Sequence, residues 1–173
     1  LVIESNQDLL LDTLMTAEQV FAGEQAHDSV ALVVRGGEVL RVLEIYGEDA
    51  AAKQVQMVRL AMQIEEDAAD ALILVGEYWS APIDKLASYE RPSESYEKTE
   101  CLAVMLLQQD GAAIEFSAPI ERDGEDAWLG AWKFTEDLRS FSLTPVHIGW
   151  GHPVPDAWRA MTLQLLQEAE PPH

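Results

Sequence analysis

The first residues able to do chemistry are Glu77, Tyr78 and Trp79, which close an apolar run beginning near Asp70. A carboxylate at the end of a buried strand is placed to act as a general acid or base with a raised pKa. Strand alternation puts Glu77 and Trp79 on one face, where they can form a half-open cleft with an aromatic wall. Glu100 and Glu115, on the apolar runs that follow, add carboxylates if register brings them to the same side. A single carboxylate is not a catalytic pair, and the pattern also describes the solvent face of an antiparallel sheet, which is the weightier reading. Arg91, in Arg91-Pro92-Ser93-Glu94-Ser95, is one of only 11 basic residues. Its guanidinium can recognise a carboxylate or tie its loop to a neighbouring acid. Glu77, Trp79, Arg91 and Glu100 are therefore the candidate binding residues, and no residue is assigned a catalytic role.

The remaining chemistry-bearing patterns are weaker. His147 and His152 lie five residues apart in His147-Ile148-Gly149-Trp150-Gly151-His152-Pro153. That stretch superficially resembles the Gly-Trp-X-His-X-His-Pro segment of the JAMM metalloproteases. It lacks the second His before the proline and the downstream Ser-x-x-Asp, so that family is rejected. A zinc site needs a third protein ligand, and no HExxH or paired-Cys motif supplies one. The acidic turn Glu121–Asp126 does not have calcium-loop spacing. Ser93 and Ser95 have no evident His/Asp partners, and no Gly-x-Ser-x-Gly elbow occurs. No Walker A or Rossmann motif is present either. No metal and no cofactor is expected. The lone Cys101 lies in an apolar strand pattern, where cysteine behaves as a small hydrophobe.

Charge restricts the partners. The 173 residues carry 31 acids against 11 bases, a formal net charge of -20. Such a surface repels phosphate backbones and anionic membranes, so direct nucleic-acid binding and membrane association are not expected. What remains is solubility, a basic partner protein, or mimicry of DNA towards a protein with a basic groove. No apolar run approaches the roughly 20 residues that a bilayer requires. No basic segment followed by an apolar stretch opens the sequence. A single cysteine, with no intramolecular disulfide possible, fits a cytoplasmic location, which is expected.

The positioning elements follow from periodicity. Leu10, Leu14, Ala17 and Phe21 mark an N-terminal helix capped by Ser5 or Asn6, with a break possible near Thr16 and a stop at Gly23. Ser29–Arg35 and Glu38–Tyr46 flank Gly36-Gly37, a hairpin signal. Residues 48–67 form a helix whose stripe is Ala51, Val55, Val58 and Met62, widened by Ala61 and Ile64. Asp70–Ser80 is a strand buried on both faces at its start. Residues 82–98 form a long internal loop. Thr99–Gln108 and Ala112–Ile120 meet across Asp110-Gly111, and Ala127–Phe134 follows with Trp128 and Trp132 on one face. Phe141–Ile148 is a possible further strand. A last helix starts at Pro155 with the apolar stripe Trp158, Met161, Leu165 and Ala169.

These elements predict a single α+β domain over residues 1–173, in the order α-β-β-α-β-β-β-(β)-α. Its mainly antiparallel (mixed) sheet has five to six strands, with the helices packed on one face. With no catalytic constellation, a single-sign surface and five tryptophans, the favoured function is a non-enzymatic, cytosolic protein–protein interaction protein of bacterial or phage type. A homodimer is a possible assembly, since it would cover sheet edges. The alternatives are a small-molecule binder or enzyme with a pocket near Glu77 and Trp79, and an acidic DNA mimic.

Overall fold

The computed structural model describes residues 5–46, 50–80, 97–136, 150 and 154–169. Helix α1 spans Asn6–Glu24. The Ser5 side chain caps it, accepting from the Asp8 N–H at 3.2 Å. The helix runs unbroken through Thr16, whose hydroxyl donates back to the Asp12 carbonyl at 3.0 Å. It also passes the expected stop at Gly23. The chain reverses at Gln25, in the left-handed conformation, where the N–H of Gln25 reaches the Phe21 carbonyl at 2.7 Å. Leu9, Leu10, Ala17 and Phe21 are buried, so packing of the last turn extends the helix beyond its local stop signal.

Strands β1 (Val30–Arg35) and β2 (Glu38–Glu44) form the expected hairpin, with positive φ at both Gly36 and Gly37. Helix α2 (Ala50–Asp67) then crosses to β3 (Ala71–Ser80). Strands β4 (Thr99–Gln108) and β5 (Ala113–Asp123) continue the meander, and every strand pair is antiparallel among the described residues. The sheet order is β2-β1-β3-β4-β5.

Beyond β5 the structure departs from the single expected strand. The segment divides into β6 (Asp126–Leu129) and β7 (Lys133–Glu136), each paired with a different part of β5, which gives seven strands among the described residues. The break falls at Gly130, whose N–H donates to the Pro119 carbonyl at 2.8 Å. A side chain there would approach Pro119 Cγ to 2.7 Å. As a result Trp128 and Trp132 do not share an environment. Trp128 is exposed and donates to Glu121 at 2.7 Å, whereas Trp132 packs against the core beneath α1.

The α+β class and the antiparallel sheet agree with expectation, but the helices occupy both faces. Val34, Ala71, Ile73, Val75, Leu102, Val104 and Leu106 meet α1. Ala31, Val33, Leu72 and Leu107 meet Leu60 and Ile64 of α2. Because β1, β3 and β4 carry apolar residues at consecutive positions, one helix layer covers only half of each strand. Full burial of each large apolar side chain contributes about 1.5–3 kcal/mol. The buried side of α2 centres on Leu60, Ala61 and Ile64, with Ala51 exposed and Val55 and Met62 only half-buried.

The last helix, α3 (Asp156–Ala169), reverses another expectation. Its Trp158–Met161–Leu165 stripe is exposed, and the side facing the fold carries Thr162 and the half-buried Leu166. The apolar period of a helix identifies a face, but not what covers it. The expected strand at Phe141–Ile148 and most of the 82–98 loop lie outside the described residues.

Candidate functional site

The register of β3 against β4 pairs Glu77 with Leu102 and Trp79 with Glu100. Leu102 belongs to the core beneath α1, so Glu77, Trp79 and Glu100 all lie on the α1 face, towards one end of the sheet. The sequence-derived candidates are thus brought together there, apart from Arg91, which lies outside the described residues together with His147 and His152.

Arg122 completes the cluster. Its Nε and Nη2 each donate to one oxygen of Glu100 at 2.8 Å, a bidentate pair, and Nη2 stands 3.5 Å from Glu77 Oε2. The other Glu77 oxygen accepts from the backbone N–H of His27 at 2.8 Å. The Arg122 guanidinium holds the Glu100 carboxyl below its usual range. Glu100 is therefore an ionised acceptor at neutral pH rather than a proton donor. The pair joins β4 to β5, and Glu77 joins the end of β3 to the chain entering β1. Beside them the Lys98 ammonium lies 4.7 Å from the centre of the Trp79 ring, which is 42% exposed.

Glu115 is on the opposite face. It is buried and accepts from the Tyr78 hydroxyl at 2.8 Å. Burial, reinforced by that carboxylate, raises the phenol well above its ordinary range. Burial likewise pushes the nearby Cys101 thiol up, which disfavours its nucleophilic thiolate form. Tyr78 here satisfies a buried carboxylate.

A second surface feature lies at the edge of the sheet. Strand β2 ends the sheet order and has no outer neighbour among the described residues. Between it and α1 opens a groove of about 250 Å³. Its floor and walls include Leu9, Val30, Leu32, Val39 and Val75, and Asp12 lies on the α1 side. Leu32 pairs with Val42 and Val30 with Glu44 across the hairpin, so Val42 and Glu44 share the groove's face. Val42 is 62% exposed. The apolar surface thus continues from the groove onto the open edge of the sheet, with a carboxylate on either side.

The sequence carries no signal for this groove, because Val39 and Val42 look like ordinary core positions unless β2 is known to be an edge. Arg122 was hidden for a related reason. It lies in an acidic run that resembles a solvated turn, and only the β4–β5 register brings it to Glu100.

Among the described residues there is no group of three or more metal-ligating side chains, and no helix is long and apolar enough to cross a membrane. The fold and its two surface features define an acidic α+β protein with helices on both faces of an antiparallel sheet and an apolar groove at one sheet edge. A sequence model of the family described as bacteriophage lambda protein ea47 matches residues 3–168, and the chain belongs to that family. No curated protein matches it, and no solved structure does.

Proposed function

We propose that this chain is a non-enzymatic, cytosolic interaction protein of phage type that receives a basic segment of a partner protein in the groove between α1 and β2. The observation that carries this reading is the continuous apolar surface from Leu32 and Val39 to the exposed Val42, flanked by Asp12 and Glu44. An extended segment laid along β2 can use the open strand edge for main-chain hydrogen bonds and the groove for alternate apolar side chains. The carboxylates, in a molecule of net charge -20, favour lysine or arginine at the intervening positions and speed the encounter.

Two other readings have less support. A small-molecule binder or enzyme with a pocket near Glu77 and Trp79 draws on the exposed Trp79 ring, but the carboxylates of Glu77 and Glu100 beside it are engaged by Arg122 and the His27 backbone. A DNA mimic needs acids spaced along one elongated face, and the apolar floor of the groove is not part of such a design.

The test uses a labelled peptide in which lysine alternates with valine or isoleucine, titrated with the protein and followed by fluorescence anisotropy. Binding should weaken with salt and fall at least about tenfold in Val39→Ser/Val42→Ser, a change that removes apolar contact and leaves net charge untouched. Equal affinity for both proteins would reduce the binding to diffuse charge attraction and refute the groove.

A further inference from the structure

Helix α3 contacts the rest of the described fold along a narrow line. Val154, just before it, is buried, as is Thr162, while Arg159 and Leu166 are half-buried. Arg159 pairs with Glu65 at 2.8 Å, and the same carboxylate oxygen accepts from the Val154 N–H at 2.9 Å. Away from that line, Trp158 is 39%, Met161 53% and Leu165 38% exposed. These three recur at i, i+3 and i+7 and form one stripe. A contiguous apolar stripe on a helix that the described residues cover on only one side marks an association surface.

The charge distribution identifies what covers it. The chain holds 31 acidic residues, yet α3 carries acids only at Asp156 and Glu168, near its two ends, with Arg159 as its one base. A basic partner finds little to read on this surface. Two copies of a strongly acidic protein, by contrast, can meet only where acids are sparse. The stripe also suits its own copy. Trp158 and Leu165 stand three and four residues either side of Met161, so an antiparallel pair with its two-fold axis at Met161 sets each Trp158 against the other copy's Leu165. Such a contact is isologous and closes after two subunits.

We propose that α3 is a homodimer interface in which the Trp158–Met161–Leu165 stripe packs antiparallel on that of a second copy. A helix of 14 residues is about 21 Å long, so the contact belongs to the small interfaces and the dimer is reversible. It is separate from the α1–β2 groove and stands or falls independently of the function proposed there.

Sedimentation velocity on the full chain over a wide concentration range tests this. The mass should climb from 19.2 kDa towards twice that value, and association should tighten with added salt as repulsion between the acidic bodies is screened. Met161→Glu should stay monomeric with unchanged circular dichroism, while Leu11→Ser, on exposed α1 surface, should dimerise as the parent does. Under mild oxidation Met161→Cys should form a covalent dimer far faster than Leu163→Cys, which lies on the other side of α3. A parent chain that stays monomeric throughout, a dimer that survives Met161→Glu, or equal cross-linking of the two cysteine variants would overturn the proposal.

Discussion

Thr162 is fully buried on the α2-facing side of α3, and its hydroxyl has no hydrogen-bond partner among the described residues. A buried polar group left unpaired costs about 1–3 kcal/mol. Thr162→Val keeps the β-branched shape and removes that group, so it should stabilise the fold by about 1 kcal/mol, seen as a higher urea midpoint at constant slope. Glu100 presents the opposite case, a charged group with full partners. Its folded pKa lies below the ordinary 4.5 because of Arg122, so its stabilising contribution is present above 4.5 and is lost as pH falls through the lower folded value. Glu100→Gln should therefore lose about 0.5–1 kcal/mol at neutral pH, a modest amount because Arg122 is partly solvated. The gap between variant and parent should close in acid, which urea titrations at neutral and low pH would measure.

At the scale of elements, the junction of β1 and β3 depends on a missing side chain. A Cβ on Gly76 would lie 2.5 Å from Ser29 Oγ and 3.1 Å from Ser29 Cβ. Gly76→Ala should destabilise by about 1–3 kcal/mol through overpacking. Adding Ser29→Gly should recover part of that loss, and a double-mutant cycle on denaturation free energies would show the coupling. The sequence made many elements legible where local chemistry decides them. Gly36-Gly37 and Asp110-Gly111 set hairpins through φ, Ser5 caps α1, and the consecutive apolar residues from Ala71 announce a strand covered on both faces. It misled where tertiary contact decides. Gly130 reads as an interior strand residue until Pro119 is seen against it, and the stripe of α3 reads as core because periodicity carries no information about exposure. The candidate site divides in the same way. Alternation placed Glu77 with Trp79, but the β3–β4–β5 register was needed to add Glu100 and Arg122 and to send Glu115 to the other face.

For the molecule as a whole, the charge of -20 affects its two proposed contacts in opposite directions. Docking of a basic segment at the α1–β2 groove should weaken as salt rises, whereas pairing through α3 should strengthen. The Debye length shortens from about 10 Å at 0.1 M to about 3 Å at 1 M salt. Salt dependence therefore separates the two surfaces without any substitution. Asp12 and Glu44 support the interaction function because they flank Val39 and Val42, apolar positions left exposed on the sheet edge. The most direct test maps backbone amide shifts by nuclear magnetic resonance while the alternating lysine–valine peptide is added. The largest shifts should fall on Asp12–Thr16, Val30–Leu32 and Val39–Glu44. Shifts spread evenly over the acidic surface, or centred on Glu77, Trp79 and Glu100, would contradict it.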